Sequence, residues 1–339
     1  MLPRLHHMPQ LNTSFNEPLL FLERHFLSRH EQIQEWFKAE WQQTPPPVYG
    51  SVDLRNAGFK LAPIDMNLFP AGFNNLNPEY LPLYAESARK SITTILPDAK
   101  KILIIPEKHT RNVFYWENVA ALTRVLKEAQ FDIRIGSVAD DASAPQTVTL
   151  QDNSSLIIEP LQRKGDLLAC GNFVPDLVLL NNDLSDGVPE ILQNISQVLA
   201  PPASLGWSRR LKSEHFQYYA AVAEEFSQKA GIDPWLIAPL FRQCGKIDFM
   251  QQEGLTCLAQ NAEKLFRQIQ EKYDQYNITQ QPFLIVKADA GTYGMAVMTV
   301  RNIDELLTLN RKQRTKMATA KGSQPVRRVI IQEGVYTFE

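Results

Sequence analysis

The chain has 339 residues, of which 44% are hydrophobic and 21% charged, and its formal charge is −2. That length and balance describe a globular protein of more than one domain and exclude the basic excess of a generic nucleic-acid binder. Cys170, Cys244 and Cys257 are too few and too scattered for a disulfide framework or a zinc site.

No apolar run has membrane-spanning length, and the N-terminus lacks an apolar signal core. A cytoplasmic protein is expected, with no nucleic-acid or membrane partner and with homo-oligomerisation left open. Residues 17–42 read as a helix. Asn16 stands at the cap, and apolar residues recur through Leu20, Phe21, Phe26, Leu27, Ile33, Trp36 and Phe37. Pro45-Pro46-Pro47 ends it.

Residues 50–80 hold neither helical nor strand periodicity for long. They mix Asp53, Arg55, Asn56, Lys60, Asp65 and Asn67 with leucines and phenylalanines. Two readings stand side by side. One is a half-buried loop that recognises a polar small molecule; the other is a structural loop whose Asx side chains satisfy turns.

Next comes a strand–helix–strand pattern: 101–105, then 113–130, then 131–135. It predicts a right-handed crossover unit of a parallel sheet. Further strands are predicted at 155–158 and 176–180. Ligands in such sheets lie beyond the strand C-termini. Arg111 occupies that position after the first strand, and Asn181 and Asn182 after the last. Residues 190–199 read as helical. A helix ending near Ala230 carries Lys212 in its early turns, with Ser208 as a candidate cap, and another spans 261–276.

The stretch Pro282–Val300 is the most informative. An apolar strand ends in Lys287, a turn carries Gly291 and Gly294, and a return strand runs from Met295 to Val300. Glycine N–H groups can approach phosphate oxygens closely, and a lysine supplies a point charge beside them. Because the loop returns as a strand, it differs from the P-loop and the dinucleotide fold, where the glycine loop opens a helix. Residues 302–317 read as helical, with Asn310 on the same face as Ile303 and Leu306, and Val329–Val335 as a last strand.

A glycine flap between two strands, a helix, and a strand ending Gln332-Glu333-Gly334-Val335 resemble the nucleotide half of the ATP-grasp fold. More specific are Asp53-Leu-Arg-Asn-Ala-Gly-Phe-Lys60, Asp65-Met-Asn-Leu-Phe-Pro-Ala-Gly-Phe-Asn-Asn75, Asp176-Leu-Val-Leu-Leu-Asn-Asn-Asp183, Gly206-Trp-Ser-Arg-Arg-Leu-Lys-Ser213 and Asp233-Pro-Trp-Leu-Ile237, with Val286–Met295. Together these strings resemble the proteobacterial, acidithiobacillus-type glutamate–cysteine ligases from about residue 45 to the end.

The resemblance implies an α/β, ATP-grasp-like fold. Residues 1–48 would be an N-terminal helix and linker, 49–200 an α/β substrate domain, 201–280 a helical connecting region, and 281–339 the flap subdomain and hinge strand. It also implies that the nucleotide-binding domain is incomplete, the chain stopping at Glu339 short of the strands that carry magnesium ligands. The family has glycine where this chain has Ala296; a negative φ there would make the methyl group harmless.

The implied activity is ATP-dependent ligation of L-glutamate, through its γ-carboxylate and an acyl phosphate, to L-cysteine. This is the first step of glutathione biosynthesis. ATP and Mg2+ are the implied cofactors. Lys287 and Arg210 would serve catalysis. Lys212, Lys287, Gly291, Thr292, Tyr293, Gly294, Met295, Gln332, Glu333 and Val335 would hold the nucleotide. Arg55, Asn56, Lys60, Asp65, Asn67, Arg111, Asn181 and Asn182 would meet the amino-acid substrates, arginine being suited to grip a carboxylate bidentately. The metal ligands stay unassigned. Two other readings remain: a non-catalytic or truncated nucleotide-binding homologue, and another ATP-grasp ligase such as a glutathione synthetase.

Overall fold

The computed structural model describes residues 17–108, 112–138, 144–290, 295–319 and 325–337, without the side chains of 17–19. The predicted N-terminal helix is two helices, α1 (Glu17–Ser28) and α2 (His30–Gln43). They part at Arg29, whose φ of −115° and ψ of 16° leave the helical region. No residue of α2 is buried. Phe26, Trp36 and Phe37 gather instead around the ring of Phe226.

Residues 50–80, expected as a loop, contain a hairpin of β1 (Ser51–Asn56) and β2 (Leu61–Asn67), with Asp53 opposite Asp65. Alternation is hidden in the sequence because burial runs along the hairpin rather than across it. Most of β1 is exposed, whereas Ala57, Phe59 and Lys60 at the tip are buried. Asn56 makes the turn: its Oδ1 accepts the Gly58 N–H at 2.9 Å, and Gly58 adopts a φ of 80° that favours glycine.

Then follow α3 (Leu81–Ile95), β3 (Lys101–Pro106), α4 (Val113–Glu128) and β4 (Asp132–Ser137). This is the predicted strand–helix–strand unit with an additional helix before it. Asn112 caps α4, its side chain accepting the Phe114 N–H at 3.1 Å. The sheet is completed by β5 (Gln146–Thr149), β6 (Ser155–Pro160), the small hairpin β7 (Gln162–Lys164) and β8 (Leu167–Ala169) beside it, β9 (Leu177–Asn181) and β10 (Val198–Ala200). Its order is β10-β9-β3-β4-β6-β5, parallel except for β5 at the edge. Ile102 and Ile104 face one core, Leu103 and Ile105 the other. A strand covered on both faces reads as an unbroken apolar run, which makes it conspicuous in the sequence. Residues 190–199 are not a helix. They hold one 3-10 turn at Glu190–Leu192 and the start of β10.

The rest of the chain is α5 (Lys212–Ala230), β11 (Phe241–Gly245), α6 (Leu255–Gln275), β12 (Leu284–Ala288), β13 (Val297–Val300), α7 (Asp304–Leu307), α8 (Arg311–Ala318) and β14 (Arg328–Glu333). Four of these strands form an antiparallel sheet ordered β11-β14-β12-β13. The return strand β13 pairs with β12 as predicted, Lys287 opposite Val297. β11 belongs to this sheet although its sequence lies in the region expected to be helical. The predicted helix at 302–317 is broken, because the Asn310 side chain accepts the Gln313 N–H in a capping box that starts α8.

The sheet is covered by α6, whose Leu258, Ala262, Leu265 and Ile269 recur at helical spacing on its buried face. Each leucine or isoleucine removed from water there contributes about 1.5–3 kcal/mol. The hairpin tip enters the same core through Ala57, Phe59 and Ala62. The hairpin is therefore anchored in the second sheet's core while its strands extend toward the first sheet. Among the described residues, no helix is long and apolar enough to cross a membrane.

Candidate functional site

Two cavities adjoin at the hairpin. The larger, 830 Å³, opens beyond the C-terminal ends of β3 and β9 and is lined there by Glu107, Asn181 and Asp183. The smaller, 510 Å³, lies against β12 and β14, with Lys287 and Gln332 in its lining. Asp53 and Asp65 border both.

The wall of the larger cavity is a hydrogen-bonded amide network. Asn118, 1% exposed, accepts the N–H groups of Gly72 and Phe73 at 2.7 and 3.0 Å and donates to Asn181 Oδ1 at 3.1 Å. The Tyr115 hydroxyl donates to the Asn181 carbonyl at 2.8 Å and accepts the Glu107 N–H at 2.7 Å. Asn181 Nδ2 donates to the Pro70 carbonyl at 2.8 Å. Buried amides so engaged rigidify a wall. Asn181 lines the cavity, but the observed bonds of its side chain go to protein groups and not outward. Asn182 is corrected further. It ties the strand ends together, with Nδ2 donating to Pro106 O at 3.1 Å and Oδ1 accepting the Leu184 N–H at 2.9 Å, and it does not line the cavity.

Other predicted substrate residues separate in the same way. Asp65 and Asn67 line the larger cavity and Arg55 the smaller. Asn67 Oδ1 also accepts the Phe69 N–H at 2.8 Å. Asn56 turns the hairpin tip as described. Lys60 lines neither of these cavities; its ammonium is 0% exposed and lies 2.7 Å from Glu333 Oε2. Arg111 lies outside the described residues.

Three cations converge on Asp65. Lys287, at the end of β12, donates to the Ile64 carbonyl at 2.7 Å. Arg210 donates to the Met66 carbonyl at 2.9 Å, and its guanidinium lies 5.1 Å from the Trp207 ring centre. Lys212, at the start of α5, places Nζ 4.2 Å from the same ring centre. Burial pulls the Lys287 ammonium down to about 8 against the raising influence of Asp65, with Lys212 lowering it further. Burial also lowers Lys212 and Arg210, and Asp65 opposes it in both. His215, one turn into α5, is pushed down to about 4 by burial and then by Arg210, so its imidazole is neutral near pH 7.

Apolar side chains wall the smaller cavity: Ile64, Phe283, Ile285, Val297 and Tyr336, with Val335 beside them. Gln332 is 2% exposed, and its Nε2 has no hydrogen-bond partner among the described residues. A buried amide donor without an acceptor is uncommon in a folded chain. Glu333 is also in the lining of this cavity. Its carboxylate accepts from Lys60, from Trp235 Nε1 at 3.1 and 3.2 Å and from the Leu240 N–H at 2.9 Å, so it is engaged internally.

Gly291, Thr292, Tyr293 and Gly294 lie outside the described residues, and Met295 beyond them is 44% exposed. Ala296 has a φ of 51°, so the methyl group sits in the left-handed region and is not the harmless case. Among the described residues, no group of three or more His, Cys, Asp or Glu side chains could hold a metal ion.

Sequence reasoning assigned no individual role to Asp53, Trp207 or Asp289. All three lie inside the quoted motifs, and Trp207 was findable as the aromatic beside two cations. Asp289 offers no such signal, since its partners come from a distant helix. Its carboxylate, buried with the residue 0% exposed, accepts the Ser213 N–H at 2.7 Å and the Ser213 hydroxyl at 2.8 Å. It thereby caps α5 in place of Ser208.

A model of the GshA family, glutamate–cysteine ligase, matches residues 23–339. No curated protein matches the chain. Among solved structures, a protein from Methylobacillus flagellatus KT assigned as a gamma-glutamylcysteine synthetase superposes with a TM-score of 0.92 at 50% identity. That alignment covers 98% of this chain and 78% of the other. The D-alanyl-alanine synthetase A of Vibrio cholerae O1 biovar eltor str. N16961 follows with a TM-score of 0.39 at 10% identity, over 70% of this chain and 61% of its own. A glutathione synthetase-like effector from Globodera pallida has a TM-score of 0.35 at 8% identity, over 85% and 59%. These last two are too distant to bear on the chemistry. The family match across nearly the whole sequence, together with a half-identical structure of the same shape, establishes that this chain belongs to the glutamate–cysteine ligase family.

Proposed function

We propose that this chain joins L-glutamate, through its γ-carboxylate, to L-cysteine at the expense of ATP, on an ATP-grasp-like nucleotide site. The observation that carries the reading is the junction of the cavities. A polar cavity and an apolar-walled one meet at Asp53 and Asp65, and Lys287, Lys212 and Arg210 gather there. Such a junction suits transfer of a phosphoryl group from a nucleotide on one side to a carboxylate on the other.

A carboxylate is a poor electrophile. Its oxygen attacks the terminal phosphorus, the bond to ADP breaks, and an acyl phosphate forms. The cysteine amine, after losing a proton, attacks the acyl carbon and phosphate leaves, giving amide, ADP and phosphate. In the first step charge spreads over the transferring oxygens, so fixed cations supply much of the acceleration. Lys287 and Lys212 take the phosphates in this reading. Arg210, held on the Trp207 face, neutralises charge at the junction. Asp53 and Asp65 suit the ammonium groups of the amino acids.

The smaller cavity fits a nucleobase. Its apolar walls match the faces of a flat ring, and Gln332 Nε2 offers the donor that a ring nitrogen would accept. Magnesium would enter with the triphosphate, since among the described residues no group of three or more His, Cys, Asp or Glu side chains would hold it. When bound it screens charge on the transferring group.

The test combines the purified chain with ATP, magnesium, glutamate and cysteine and measures γ-glutamylcysteine and ADP. Product formation that requires both amino acids is expected. ATP binding without product would favour the non-catalytic reading. Product only when γ-glutamylcysteine and glycine replace the two amino acids would favour a glutathione synthetase.

A further inference from the structure

We propose that Asp289 is a positioning residue that fixes the spacing between Lys287 and Lys212, so that both ammonium groups meet one phosphate chain. The inference rests on the nucleotide reading given above. Lys287 stands on β12, and Lys212 opens α5, more than seventy residues earlier. Asp289, two positions beyond Lys287, joins the two elements through both its side chain and its backbone.

The side-chain bonds to Ser213 are accompanied by two backbone bonds. The Asp289 carbonyl accepts the Lys212 N–H at 2.8 Å, and the Asp289 N–H donates to Arg328 O on β14 at 3.1 Å. Arg328 Nε adds a contact at 3.5 Å to Oδ2. The first N–H groups of a helix have no partner within it. Leu211, at the cap position of α5, makes no side-chain cap bond. Asp289 supplies acceptors for two of these N–H groups, those of Lys212 and Ser213. The start of the helix is therefore held on the strand that carries the other lysine.

The charge at Asp289 acts as well as its geometry. Lys212 is faced by Asp65 from β2, Arg210 from its own approach, Trp207, Lys287 from β12 and Asp289 itself. Burial and Arg210 lower its basicity, while Asp65 and Asp289 raise it. A charged Asp289 thus helps keep a buried lysine protonated, the state that binds phosphate.

Asp289→Asn keeps an oxygen for the Ser213 N–H but removes the charge. Ser213→Ala removes only the hydroxyl bond, and Ser213→Thr restores a hydroxyl. ATP affinity is read by calorimetry, KM is measured for each substrate, and stability is followed by thermal unfolding. In D289N, the KM and Kd for ATP are expected to rise roughly tenfold, within the range that small misplacements produce. The KM values for glutamate and cysteine stay near wild type, and the alkaline limb of ATP binding moves to lower pH. S213A shows a smaller loss of the same kind, which S213T reverses. Wild-type ATP affinity and pH profile in folded D289N would overturn the inference. So would a parallel rise of all three KM values that tracks lost stability. Absence of ATP binding by the unsubstituted chain would overturn the nucleotide reading itself and this inference with it.

Discussion

The Lys60 ammonium and the Glu333 carboxylate, 273 residues apart, meet at 2.7 Å with side chains 0% and 1% exposed. Lys60 also lies 4.2 Å from the centre of the Trp235 ring, whose N–H donates to the same carboxylate. This closed group pins the tip of the β1–β2 hairpin to the end of β14. It locks in place the element whose Asp53 and Asp65 border both cavities.

Removing one partner leaves the other charge buried and unpaired. Lys60→Met is therefore expected to cost about 3–5 kcal/mol of stability, and Glu333→Gln a similar amount. The double variant should cost clearly less than the sum, because neither charge is then stranded. Urea unfolding of all four proteins checks this. Additive losses would mean that the pair contributes no coupling.

This pair also shows where sequence reading ends. β3 and β9 are legible because burial on both faces writes an unbroken apolar run. Lys287 is legible because it ends an apolar strand whose return partner follows within a few residues. Lys60 looks like a ligand-binding residue because it stands in a polar motif, and Glu333 because its strand resembles a nucleotide hinge. Only the fold reveals that each is the other's counter-ion. The hairpin at 51–67 is hidden for a related reason, its burial being concentrated at one end. Asn182 and Asn56 carry amides of the kind that bind substrates, yet theirs hold the backbone. β10 and β11 are short strands completed by pairing with β9 and β14, an interaction that their own residues do not encode.

Lys287 gives a pH prediction. In the free protein burial holds its ammonium down to about 8, below the ordinary lysine value. Bound phosphates favour the charged form, so binding raises this value again. ATP affinity should therefore be nearly level below pH 8 and fall as pH rises past it, by up to about tenfold per unit. Proton uptake on binding should appear over the same range. Calorimetry in buffers of different ionisation enthalpy measures both. Lys287→Met should bind weakly throughout and keep only the alkaline decline that Lys212 sets; an unchanged decline would assign all of it to another group.

Gly334 follows the ion-paired Glu333 and supports the apolar wall. A Cβ at this position would stand 2.2 Å from two atoms of the Phe283 ring, which packs edge-on against Tyr336 with centroids 4.8 Å apart. Phe283 and Tyr336 both line the smaller cavity. Gly334→Ala must displace the ring, at a cost of about 1–3 kcal/mol typical of overpacking. Stability and ATP affinity are expected to fall together, with glutamate affinity unaffected. Thermal unfolding and separate titrations of the two ligands distinguish this from a general loss of structure.

Gln332 should show opposite effects on stability and on binding. Its buried Nε2 has no partner among the described residues, and an unsatisfied buried donor costs about 1–3 kcal/mol. Gln332→Leu removes that cost and adds an apolar side chain of similar size to a strand packed in the core. The unliganded protein should be as stable as wild type or more so, by up to about 1 kcal/mol once the changed packing is included. ATP binding should weaken about tenfold, the scale of one hydrogen bond lost from a nucleobase. Unfolding measured with and without ATP tests both halves: the variant should melt at or above the wild-type temperature alone and gain less from the nucleotide. A protein that loses stability without ligand would show that the Gln332 amide already serves the fold. One that keeps wild-type ATP affinity would remove the amide from the nucleotide site.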